Sequence, residues 1–104
     1  MKLYVKDNEK MTDEYYQMKE CRYDVLLELN DKYYQLNFMT SFLINQEIEG
    51  DHFEYMRNLI PVKTVSLSSI IEVIKNIKKH DLSSELVIEK EVNISEWIEV
   101  YTEE

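Results

Sequence analysis

The chain has 104 residues, 44% of them apolar, and a formal net charge of −9 from twenty-one acids against twelve bases. That is enough for one hydrophobic core and too little for two, too apolar for an intrinsically disordered segment, and without the run of roughly 18 apolar residues that a spanning helix needs. The charge argues against nucleic-acid binding, since each phosphate contact needs a nearby cation and the only arginines are Arg22 and Arg57.

These bounds predict one domain over residues 1–104. The start, Met1-Lys2-Leu3-Tyr4-Val5-Lys6-Asp7, turns polar at once and lacks the apolar stretch of a secretory signal. A single cysteine, Cys21, allows no internal disulfide. Both point to the cytoplasm. Alanine is absent, glycine and proline occur once each (Gly50, Pro61), and Ile, Lys, Asn, Tyr and Glu abound. That bias suits an AT-rich coding sequence and a bacterial or phage source, and it explains much of the tyrosine without a binding surface.

A weak helical signal covers Thr12 to Lys19, where Met11, Tyr15 and Met18 are spaced by four and three, although Tyr15-Tyr16 suits a strand equally well. A hairpin is predicted about Asn30-Asp31. Cys21, Tyr23, Val25, Leu27 and Leu29 alternate on one side of it, and Tyr34, Leu36 and Phe38 on the other. A two-residue turn sets Leu27 against Tyr34, Val25 against Leu36 and Tyr23 against Phe38, all on one face.

The same parity runs on through Thr40, Phe42, Ile44 and Ile48, which predicts one long bent strand, or two joined by a bulge near Thr40-Ser41, over residues 33–48. A second turn at Gly50-Asp51 would pair Ile48 with Phe53, Gln46 with Tyr55 and Phe42 with Leu59. Pro61, which has no N–H, would end the fourth strand. The clearest helix is 68–79: Ser69 and Glu72 form a capping box, Ile70, Ile74 and Ile77 make a stripe with Ile71 beside it, and Lys75, Lys78 and Lys79 suit the negative end of the dipole. The segments 6–14 and 79–85 read as loops. The resulting fold class is α+β, an antiparallel β-meander of five to six strands with one main helix packed on one face.

From Glu85 to Glu104 seven acids (Glu85, Glu89, Glu91, Glu96, Glu99, Glu103, Glu104) stand against one base, Lys90, so this segment holds six of the nine net negative charges. Read as a strand, it puts Leu86, Ile88, Val92, Ile94, Ile98 and Val100 on a face for burial, and Glu89, Glu91, Trp97, Glu99 and Tyr101 on a face for a partner. Asn93-Ile94-Ser95-Glu96 could instead break the strand and start a short helix, with Trp97 and Tyr101 on one stripe, or Trp97 could pack as core. Exposed, Trp97 and Tyr101 ringed by Glu89, Glu91, Glu99 and Glu103 would suit an arginine- or lysine-bearing partner.

No residue pattern points to catalysis. His52 and His80 are the only histidines. Cys21 reads as a packed thiol on the inward face of its strand, and His80 as a cap partner at the helix end. Glu47-Ile48-Glu49-Gly50-Asp51-His52 has ligand-type side chains but no calcium-loop spacing and no visible second shell, so neither a metal nor a cofactor is expected. Lys75, Lys78, Lys79 and His80 read as the solvated face of a capped helix. The chain is therefore expected to act as a binding protein, not an enzyme, with a basic protein as partner and no direct contact with nucleic acid or membrane. In size, charge and lack of catalytic motifs it looks like the immunity proteins that neutralise bacterial nuclease toxins, a likeness with no family motif behind it. Two alternatives are a phage-encoded nucleic-acid mimic that inhibits a defence nuclease, and a small-molecule-binding or catalytic domain with its site around His52 and Tyr55.

Overall fold

A computed structural model describes residues 1–7 and 12–103. Strand β1 (Lys2–Lys6) is followed by helix α1 (Asp13–Lys19), strands β2 (Cys21–Leu29) and β3 (Lys32–Thr40), helix α2 (Ser41–Glu49), strand β4 (Leu59–Val62), helix α3 (Leu67–Lys79) and strand β5 (Trp97–Thr102). The fold is α+β, with the strands in one sheet of order β4-β3-β2-β1-β5. Met11, the rest of segment 8–11 and Glu104 lie outside the described residues. None of the described helices is long and apolar enough to cross a membrane.

The hairpin forms as its sequence predicts. Asn30 and Asp31 both take positive φ, 54° and 63°, the paired left-handed geometry whose twist matches that of the flanking strands. Leu27 faces Tyr34 and Val25 faces Leu36. Nearer the start of β2 a bulge between Arg22 and Val25 shifts the pairing, so that Phe38 faces Arg22 and not Tyr23. One inserted residue reverses facing. Arg22 is therefore buried, Tyr23 is 41% exposed, and Cys21 is half-buried opposite Met39 instead of packed inward.

The antiparallel meander stops at Thr40. Its hydroxyl oxygen accepts a hydrogen bond from the backbone N–H of Leu43 at 3.1 Å and caps α2, so residues 41–49 are helix and not strand. The pairings of Ile48, Gln46 and Phe42 across Gly50 are absent. β4 instead runs parallel to β3, with Leu59 against Asn37 and Val62 against Thr40, which makes the sheet mixed. The period-two pattern misled here because Leu43 and Ile44, adjacent on the helix, are the half-buried pair, while Phe42 and Ile48 are 60% and 56% exposed. Gly50 closes the helix through its N–H to the Gln46 carbonyl, and a Cβ there would lie 3.0 Å from the His52 ring. The turn at Gly50-Asp51 thus serves a helix exit, with Asp51 left-handed at φ 57°.

α3 begins one residue before its expected start, capped by Ser66, whose Oγ accepts from the N–H of Ser69; the expected pairing of Ser69 with Glu72 is not the cap. Ile70 and Ile74 pack with Leu3, Val25, Leu27, Leu36 and Phe38 on one face of the sheet. The backbone N–H of His80 bonds the Asn76 carbonyl at the far end. α1 forms with Thr12 as its cap, settling that segment as helix, and adds Tyr16 to the same core.

The C-terminal segment departs most from its alternating pattern. Residues 86–93 form no regular strand, Ile94–Glu96 makes a 3₁₀ turn, and only Trp97–Thr102 pairs, antiparallel to β1. Ile88, Ile94, Ile98 and Val100 remain 36–48% exposed, so this series is not a buried face. As the outermost strand, β5 has a single neighbour.

Candidate functional site

The six residues expected to form a partner surface do not converge. Trp97 pairs with Lys6 and Glu99 with Tyr4, but a bulge at Val100 places Tyr101 opposite Leu3. Tyr101 therefore turns to the α3 side, packs against the core, and lies 5.8 Å below the Lys75 ammonium. Trp97 stays on the opposite side, with Lys6 Nζ 5.1 Å from its ring. Glu89 is half-buried, its N–H bonded to the Tyr33 carbonyl at 2.8 Å, and Glu91 is exposed beside Arg57 and Lys90.

The acids of β5 and its preceding turn are also paired within the chain. Glu96 meets Lys6 at 2.8 Å, Glu99 meets Lys2 at 3.4 Å, and Glu103 meets Lys78 at 3.4 Å. The Tyr101 hydroxyl donates to Glu103 at 3.0 Å, and this bond, with Lys78, holds the Glu103 carboxyl below the usual carboxylate range. Such exposed pairs contribute little stability, yet they cancel the local field that would attract a cation.

Glu85, Glu89 and Glu91 make no ion pair among the described residues, and a second group of such acids lies on α2 and the loop after it. From Ser41 to Met56 there is no lysine or arginine, and Glu47, Glu49, Asp51 and Glu54 all fall within this stretch. None of the four makes an ion pair among the described residues. The same stretch exposes Phe42, Ile48, Phe53 and Tyr55, the last at 80%, and α2 fully buries none of its residues. Phe53, Tyr55, Glu47 and His52 line a groove of about 250 Å³ whose floor includes Tyr23 and Met39. Burial first, then the Cys21 thiol and the charge on Glu47, push the Tyr23 hydroxyl up to about 12, so it stays a neutral donor at physiological pH. Two helix-cap choices build this ridge: Thr40 starts α2 where a strand could have continued, and Gly50 with Asp51 turns the chain back along it.

Glu47 to His52, weighed above for ligand chemistry, belongs to this ridge. Among the described residues no three of His, Cys, Asp and Glu are grouped to hold a metal ion. The sequence pattern sets Tyr55 beside His52 as an alternative small-molecule site but does not group Phe53, Glu54 and Tyr55 with those acids. The signal that could have found them is the run from Tyr33 to Met56, twenty-four residues without a lysine or arginine.

Comparison of the chain with known protein families, with curated proteins and with solved structures finds no match.

Proposed function

We propose that the chain is a small binding protein that holds a basic protein partner against the ridge of α2 and its following loop and thereby occludes that partner's cationic surface. The observation that carries this reading is the coincidence, in residues 41–56, of four unpaired acids with exposed Phe42, Ile48, Phe53 and Tyr55. Unpaired carboxylates speed encounter with a positive surface and set its orientation, while aromatic side chains that desolvate on contact slow dissociation. The groove beside Tyr23 offers a seat for one arginine or lysine of the partner, with Glu47 and Glu54 at its walls. This is the working principle of an immunity protein that blocks a nuclease toxin, with carboxylates standing where substrate phosphates would sit.

Immobilised protein, exposed to lysate of the source cell and washed with rising salt, tests the reading. A single basic protein released between about 0.1 and 0.5 M salt is the expected result. Recovery of only acidic proteins, or of a partner indifferent to salt, contradicts it.

A further inference from the structure

A larger cavity adjoins the ridge groove, with Tyr23 common to both linings. It has a volume of about 460 Å³ and opens between α1, the bulged start of β2 and Trp97 on β5. That is the size of a small-molecule site. Its charge runs against that of the whole chain. Among the described residues Lys6, Lys19 and Arg22 line it, and Asp24 is the one acid that does.

Asp24 contributes no free negative charge, because both its oxygens accept from Arg22, at 2.8 and 3.0 Å. Arg22 is likewise engaged by Asp13 at 2.7 Å. What remains to act on a ligand is the pair of lysines. Lys6 shares Glu96 at a half-exposed site, and Lys19 makes no ion pair among the described residues. Each ammonium rests on an aromatic ring, Lys6 at 5.1 Å from the Trp97 centroid and Lys19 at 5.7 Å from that of Tyr15. A planar ligand entering the cavity would take a ring face, and the displaced ammonium, on its flexible stem, would swing to the ligand's anionic group. Stacking and charge pairing are thus both available from the same ring-and-lysine unit, which occurs twice.

We infer that this cavity binds a small planar aromatic anion, a ring carrying a carboxylate or phosphate, held by Lys19 and Lys6 and stacked on Tyr15 or Trp97. Salt screens the field of the nine net negative charges beyond about 8 Å at physiological ionic strength, so acids farther than that from the cavity do little to oppose entry. The inference does not depend on the ridge or its partner.

Trp97 is the only tryptophan and lines the cavity, so its emission reports occupancy directly. The probe is para-nitrobenzoate, a planar nitroaromatic quencher, compared with neutral para-nitrobenzamide of the same shape. Saturable quenching is expected, with the carboxylate bound about tenfold more tightly than the amide; Lys19→Gln should reduce that preference several-fold. Lys75→Gln, on the far side of the sheet, should change neither. Amide shifts at Tyr15 and Lys19 in a heteronuclear NMR titration should saturate at the same concentration, a readout independent of the tryptophan. Linear, unsaturable quenching by both probes would overturn the inference, as would saturable binding equal for acid and amide or unaffected by Lys19→Gln in a protein that keeps its circular dichroism.

Discussion

The guanidinium of Arg22 lies fork-on on the carboxylate of Asp24, Nε to Oδ1 at 2.8 Å and Nη2 to Oδ2 at 3.0 Å, although the two residues are only two apart on the same strand. The bulge between Arg22 and Val25 turns Arg22 inward, where it is 3% exposed, stacks 4.4 Å from the Tyr16 ring, and bonds Asp13 and the Val65 carbonyl. Asp13 also accepts from the N–H of Leu67, so one node joins α1, β2 and the start of α3. Arg22→Met would strand Asp24 without a counter-charge and should cost about 3–5 kcal/mol in urea unfolding. Arg22→Lys should also lose stability, because an ammonium cannot reproduce the fork. A loss under about 1 kcal/mol in both variants would show that the node holds nothing together.

Leu27 and Leu36 are fully buried on the α3 face. Leu27→Ala and Leu36→Ala should each cost about 2–5 kcal/mol by equilibrium denaturation, the range for deleting a buried leucine side chain. Both should shift the midpoint without changing the denaturant slope.

Asn58 anchors the irregular C-terminal segment to the sheet. Its side chain donates to the carbonyls of Gln35 and Val87 and accepts from the N–H of Val87, and its own backbone is left-handed at φ 54°. Asn58→Ala loses the bonds and strains the backbone, at a cost of about 2–4 kcal/mol; Asn58→Gly loses only the bonds and should cost less. Hydrogen exchange at the Val87 and Glu89 amides should accelerate in both.

Glu103 sets a sign for the acid limb of stability. Its folded pKa lies below the unfolded value of 4.5, first through the Tyr101 hydroxyl and then through Lys78, so its contribution is present above that pH and is lost as pH falls through the folded pKa. Glu103→Gln should therefore flatten the dependence of unfolding free energy on pH below about pH 4.5 and reduce stability slightly at neutrality. An unchanged slope in acid would show that the carboxylate is free of Tyr101 in solution.

The parts of this fold legible from sequence are those where local chemistry and burial agree. Asn30-Asp31 demands a tight turn, and the flanking apolar alternation matches its register at Val25 and Leu27; Ile70, Ile74 and Ile77 leave α3 no other reading. Where a single residue decides between periods, the pattern fails. Phe42, Ile44 and Ile48 fit a strand on parity, yet the Thr40 cap selects a helix. The bulges at the start of β2 and at Val100 are invisible to alternation, and each reverses the facing of a residue assigned to a site or a core: Cys21 and Tyr23 in the first case, Tyr101 in the second. The acidity of the C-terminal segment is evident from composition, but its pairing with Lys2, Lys6 and Lys78 depends on contacts between distant positions. Glu85, Glu89 and Glu91 stay without an ion pair among the described residues, as do the acids of α2 and its loop, but only the latter stand beside exposed Phe42, Phe53 and Tyr55.

Two sets of charge reversals compared against the partner recovered from lysate test the central claim most directly. Glu47→Lys, Glu49→Lys and Glu54→Lys together should weaken binding by about a hundredfold or more, mainly through the association rate, while Glu89→Lys, Glu91→Lys and Glu99→Lys together should change it by less than about tenfold. Undiminished affinity in the first triple variant, with loss confined to the second, would contradict the account and return the binding surface to the C-terminal segment.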